Sequence, residues 1–172
     1  MDKYQETLAS SQVNADDAVV AAEVKKIVEK AGQYANSDVY QFLFSSIDLT
    51  TLSTTDTQTS VAQFVKRVND FDNDYPQFKN VAAICVYSNF AEIVRSNLEV
   101  SGVDIAVVAG GFPSSQTFTE VKVADAALAV AGGANEVDIV MNLGYYLDNN
   151  YAELSDEIIE IKHAIRDAKL KV

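Results

Sequence analysis

Apolar positions recur along this chain with two distinct periods. Over residues 14–31, Val19, Val20, Val24, Ile27 and Val28 recur at helical spacing among charged residues, which predicts an amphipathic leading helix that stops near Gly32. After a polar gap, residues 40–49 (YQFLFSSIDL) form an apolar run read as a short segment leading into a buried strand. Val61, Phe64, Val65, Val68 and Phe71 then make one helical stripe, with capping residues available from Ser53 to Thr57 and Pro76 just beyond its end. From there the pattern alternates: strand 81–87, helix 89–100, strand 103–109, a helix near 117–130, strand 137–142, helix 152–168, and a new apolar start at Leu170-Lys171-Val172.

The strand runs VAAICVY, VDIAVVA and VDIVMN lack polar alternation and are rich in Val, Ile and Ala, as expected when both faces of a parallel sheet are covered. Four βα units and the start of a fifth strand place the chain in the α/β class, as a doubly wound open sheet or a TIM (β/α)8 barrel interrupted midway. No G-x-G-x-x-G or G-x-x-x-x-G-K-[ST] is present, which weakens the nucleotide-binding open sheets. Gly132-Gly133 follows a helix and reads as a helix stop, not as a phosphate cradle.

Composition narrows the function classes. The 172 residues, 48% hydrophobic and 22% charged, are those of a globular protein, yet a TIM barrel typically takes about 250. A formal net charge of −12 repels a phosphate backbone, so nucleic acid is not an expected partner. No run reaches the roughly 18 apolar residues of a membrane span and the first twelve residues are polar, so a cytoplasmic protein with no membrane partner is expected. One cysteine and one histidine leave neither a disulfide framework nor a zinc-type cluster, and no metal site is expected.

An unpartnered carboxylate is costly inside an apolar strand, so Asp48 in Ser46-Ile47-Asp48-Leu49-Thr50 and Asp138 in Glu136-Val137-Asp138-Ile139-Val140 are the first candidates for chemistry. Each is either a structural carboxylate bound to backbone N–H groups or a site acid or base. Asp104 opens its strand, where solvent access is greater, and ranks lower. Cys85 reads as a small buried hydrophobe and His163 as a surface helix residue too far along the alternation to activate it. Among the lysines, Lys25, Lys26, Lys30, Lys66, Lys122, Lys162 and Lys169 fall on predicted helices and are expected to solvate their faces; only Lys171 is set within a strand.

The runs Ile47-Asp48-Leu49-Thr50-Thr51-Leu52, Val81-Ala82-Ala83-Ile84-Cys85-Val86-Tyr87, Gly110-Gly111-Phe112-Pro113-Ser114-Ser115-Gln116 and Glu136-Val137-Asp138-Ile139-Val140, in this order and spacing, closely resemble the 2-deoxyribose-5-phosphate aldolase family. The resemblance covers residues 40–172. It implies a TIM barrel, here its first half over residues 37–172 behind an N-terminal helical extension over 1–36. It also implies reversible joining of acetaldehyde to glyceraldehyde 3-phosphate through a lysine Schiff base, without a metal or organic cofactor. Sugar phosphate and aldehydes are then the small-molecule partners, and a homodimer is the implied assembly.

By position, Asp138 resembles the family's proton donor and acceptor, Asp48 and Lys171 its interior ion pair, Cys85 its site-proximal thiol, and Thr50 a residue of the same cavity. Barrel layers draw side chains from alternate strands, so Asp48 with Lys171, and Cys85 with Asp138, are each able to share a layer if all four point inward. The chain departs from the family at Tyr87-Ser88-Asn89-Phe90, where the family usually has proline in place of Ser88. The family's Schiff-base lysine belongs to strand six, a position not found among these residues, so this chain alone is expected to have no more than trace activity. A non-catalytic half-barrel that self-associates and another sugar-phosphate TIM-barrel lyase are the competing readings.

Overall fold

The predicted alternation of strand and helix is realised in the computed structural model, which describes residues 3–11 and 16–172. Asn14 and Ala15, at the start of the first predicted helix, lie outside the described residues. The chain divides into two units, Met1–Leu43 and Phe44–Val172.

The first unit holds α1 (Lys3–Ser10), α2 (Asp17–Lys30), a 3₁₀ turn (Ala31–Tyr34) and most of α3 (Ser37–Phe44). α2 begins where the Asp16 carboxylate accepts from the Ala18 and Val19 N–H groups. Ile27, Tyr34, Val39, Tyr40 and Leu43 line a shared apolar groove. The run 40–49 is therefore not a continuous lead-in to a strand. Its first half is helical because Asn36 caps the Val39 N–H at 3.1 Å, and the strand forms only at β1 (Asp48–Thr50).

The second unit continues with α4 (Gln58–Asp74), β2 (Ala83–Tyr87), a 3₁₀ turn (Ser88–Phe90), α5 (Ala91–Asn97), β3 (Asp104–Val108), α6 (Thr119–Ala131), β4 (Glu136–Asp138), α7 (Leu143–Leu147), α8 (Tyr151–Ile165) and β5 (Lys169–Lys171). α4 opens on a capping box in which the Thr57 hydroxyl accepts from the Ser60 N–H and the Ser60 hydroxyl accepts from the Thr57 N–H. The predicted strand 137–142 is cut short because Asn142 turns to cap the Tyr145 N–H, which starts the unanticipated α7. Gly132 ends α6 as expected. Gly133 has φ +112°, and a side chain there would run into Arg95.

Among the described residues the five strands form one parallel sheet in the order β1-β2-β3-β4-β5. A doubly wound sheet reverses its strand order and covers both faces with helices; this sheet does neither. On one face Ile84, Val86, Ile105, Val107 and Val137 join the helical residues Val61, Val65, Val94, Ala126, Ile161 and Ile165 in a single core. On the other, among the described residues of the second unit, the apolar side chains packed against Ala83, Cys85, Ala106 and Val108 are Leu52, Tyr87 and Phe112, none of them on a helix. Sequential parallel strands with helices on one side make a barrel wall, the arrangement expected of a partial (β/α)8 barrel. Among the described residues, no helix is long and apolar enough to cross a membrane.

Candidate active site

The period of two along a strand sends Asp48 and Thr50, Cys85, Ala106 and Val108, Glu136 and Asp138, and Lys169 and Lys171 to the helix-free face. Strand register sets their depth. Val108, Asp138 and Lys171 are in register at the carboxyl ends of β3, β4 and β5, the end at which barrel enzymes assemble their sites. Glu136 and Lys169 are in register two residues deeper.

Lys171 is the centre of this face. Its Nζ donates to Asp48 Oδ2 at 2.7 Å and lies 3.1 Å from Glu136 Oε2 and 3.0 Å from Asp138 Oδ1. The pairing of Asp48 with Lys171 thus spans strands one and five, and the same ammonium also reaches strand four. Burial works against its charge, but the three neighbouring carboxylates, Asp48 foremost, outweigh this and hold the amine above its ordinary pKa. Below it, Lys169 Nζ bridges Glu136 Oε1 at 2.6 Å and Asp104 Oδ2 at 3.0 Å. Four carboxylates therefore share two ammonium groups.

That imbalance separates the carboxylates. Burial raises the pKa of Asp138; Lys171 opposes the rise, and Asp48 and Glu136 add to it. Its Oδ1 is buried and, although 3.0 Å from the Lys171 ammonium, is not aligned to accept a hydrogen bond from it or from any other described group. Glu136 moves the other way: burial alone would raise it, but hydrogen bonds from Lys169 and Lys171 hold it below its ordinary value. Burial also pushes the Cys85 thiol up, assisted by the Asp138 charge, while the Thr50 hydroxyl and Lys171 pull it down. Thr50 and Cys85 are register partners across β1 and β2, and the Thr50 hydroxyl also donates to the Asp48 carbonyl at 2.9 Å.

Asp138, Asp48, Thr50, Cys85 and Lys171 thus come together on one face. His163 is exposed on α8. Glu136 and Lys169 were not singled out from the sequence, although each stands two residues before a singled-out strand residue and so shares its face. Two lysine expectations need correction. Lys169 lies in β5, not on a helix, because α8 stops at Ile165. Lys122 does not solvate α6: it is 1% exposed, in an ion pair at 2.7 Å with Glu157 of α8.

A barrel wall with titrating carboxylates and ammonium groups at the carboxyl ends of its strands is the site architecture of a (β/α)8 enzyme. The family model described as DeoC/LacD family aldolase matches residues 42–172, and the chain belongs to that family. Deoxyribose-phosphate aldolase of Bos taurus is 35% identical over 140 residues, 73% of this chain and 42% of the relative. That of Aciduliprofundum boonei is 39% identical over 92 residues, 52% of this chain and 41% of the relative. The Aeropyrum pernix deoxyribose phosphate aldolase, described as a unique tetrameric structure, superposes with a TM-score of 0.64 at 25% identity, covering 85% of this chain and 57% of that one. The chain spans about half the length of the curated relatives it matches.

Proposed function

We propose that residues 37–172 are the acid–base half of a deoxyribose-phosphate aldolase barrel, with residues 1–36 as a helical extension. The reaction is the reversible cleavage of 2-deoxy-D-ribose 5-phosphate to glyceraldehyde 3-phosphate and acetaldehyde through a lysine Schiff base, with no metal or organic cofactor taking part. The observation that carries this reading is Asp138: a carboxyl at the carboxyl end of its strand, with a buried oxygen free of hydrogen bonds and a raised pKa. Such a group is matched to giving a proton to the hydroxyl that leaves as an imine forms, and to exchanging one with the α-carbon as the enamine forms. Asp48 and Thr50 belong to the same face, and Cys85, also on it, is close enough to feel the Asp138 charge. A cytoplasmic location belongs to the same reading.

Lys171 is not the Schiff-base amine in this proposal. An amine must be unprotonated to attack a carbonyl, and three carboxylates hold Lys171 in its charged form. Its part is to keep Asp48, Glu136 and Asp138 from repelling one another. The 172 residues alone are therefore expected to show at most trace turnover, and borohydride with acetaldehyde is expected to trap no adduct on Lys171.

The positive test joins these residues to the remaining half of the Bos taurus relative. A folded fusion should cleave deoxyribose 5-phosphate and be trapped by borohydride, and Asp138→Asn should lower kcat by about a hundredfold or more. A folded fusion without turnover would sink the aldolase reading. One observation favours a second reading, self-association as a half-barrel: among the described residues β1 and β5 each have a strand neighbour on one side only.

A further inference from the structure

The least expected group in the second unit is the ammonium of Lys122, on a helix that a barrel would only need to pack through apolar contacts. Its Nζ donates to Glu157 Oε2 of α8 at 2.7 Å and to the Ser115 hydroxyl at 2.8 Å. Glu157, 4% exposed, also accepts from the Thr119 hydroxyl at 3.1 Å, and Ser115 is fully buried. An apolar pair in place of Lys122 and Glu157 would hold α6 to α8 at least as well, because a buried ion pair pays a desolvation cost that apolar packing does not. What an apolar pair would not do is reach Ser115.

Ser115 lies in the loop, residues 109–118, that follows β3 at its carboxyl end, beside Asp138. The loop is held at two points by α6. Asp125 Oδ2 accepts from the Gly110 N–H at 2.9 Å near its start, and Lys122 Nζ donates to the Ser115 hydroxyl five residues further on. At the second of these anchors Ser115 holds φ +57°, an unfavourable conformation for a residue with a side chain, with its N–H bonded to the Gly111 carbonyl at 2.9 Å. Phe112, carried by this loop, packs against the buried cluster that Cys85 forms with Ala83, Ala106 and Val108.

We propose that Lys122, Glu157 and Ser115 form a buried latch that positions the β3–α6 loop and thereby keeps Phe112 seated over the Cys85 side of the reactive face. They are positioning residues: none of them reaches that face, and all act through Phe112. The latch does not depend on which reaction the face performs, so its test is independent of the aldolase reading.

Cys85, the single cysteine of the chain, is a native reporter of the seated loop. The measurement is its rate of labelling by a dithiobis-nitrobenzoate reagent in the 172-residue chain. The parent is compared with Phe112→Ala, with Lys122→Met/Glu157→Leu, which exchanges the ion pair for apolar groups of similar size, and with all three changes combined. Where the double variant melts cooperatively within about 5 °C of the parent, labelling is expected to rise about tenfold through local opening, and adding Phe112→Ala should raise it little further. A rise below about threefold overturns the latch, as does a rise that multiplies in full with that of Phe112→Ala, since the opening would then bypass Phe112. If the double variant does not fold, Ser115→Ala, which leaves the ion pair in place, decides by the same limits.

Discussion

Glu136 and Asp138 sit two residues apart on β4, lie against the same ammonium, and titrate in opposite directions. Opposite stability effects follow. The folded pKa of Asp138 is raised, so its favourable contribution is present in acid and is lost as pH climbs through the folded value; at neutral pH its charge is a cost. Asp138→Asn should therefore leave stability unchanged or improve it by up to about 1 kcal/mol at pH 7, the gain vanishing near pH 3. The folded pKa of Glu136 is lowered, so its contribution is present above its ordinary value and is lost as pH falls through the folded one. Glu136→Gln should cost about 1 kcal/mol at pH 7 and nothing near pH 3. Thermal melts of both variants across pH check this, and equal signs at pH 7 would refute it.

Lys171 completes the residue-scale picture. Removing it leaves three carboxylates facing one another, but about two-fifths of its side chain is open to water, which screens part of the repulsion. Lys171→Met should cost about 2 kcal/mol at pH 7, less than a fully buried pair would. Urea unfolding measures this, and adding Asp48→Asn should recover part of the loss. Loss equal to that of an exposed lysine would mean that the three contacts contribute little.

At the scale of elements, legibility followed how local the signal is. α4 was readable because its stripe, its caps and Pro76 all lie within one segment; Thr57→Ala should cost about 1 kcal/mol, read from the urea midpoint at unchanged slope. α3 was not, because Tyr40-Gln41-Phe42-Leu43-Phe44 has the composition of a strand and only the cap at Asn36 marks it as helix. Lys122 was missed for a different reason. Its partner Glu157 is 35 residues away, so neither residue differs locally from one on a solvated helix face. Lys169 was misplaced by a boundary alone: three residues separate the end of α8 from the start of β5, and the apolar pattern of the helix carries past that end. Asp48, Cys85 and Asp138 were readable because a carboxylate or thiol in an apolar strand is locally anomalous. That Lys171 serves three carboxylates at once depends on register, which periodicity does not encode.

At the largest scale, sequential strand order and a face against which no described helix of the second unit packs its apolar residues separate this wall from a doubly wound sheet, and neither property is visible in the apolar runs. They also bear on the self-association reading. Among the described residues β1 and β5 each pair with a strand on one side only, and beside β5 the side chains of Ile158, Ile159, Leu170 and Val172 line an apolar groove. Such an edge favours pairing with a second copy, and a two-fold arrangement would let two walls cover each other's open faces. The net charge of −12 opposes this, because two copies repel one another at long range. Salt distinguishes the two forces: raising ionic strength from about 0.01 to 0.5 M shortens the screening length from roughly 30 Å to a few ångströms while leaving edge pairing and apolar burial in place. Light scattering at about 100 μM should therefore show a dimer or larger species whose share grows with salt. In the fusion with the second half of the Bos taurus relative, where both edges find partners within one chain, that salt-promoted share should fall away. A monodisperse monomer at both ionic strengths would mean that the edges are closed by some other means, and would remove the self-association reading.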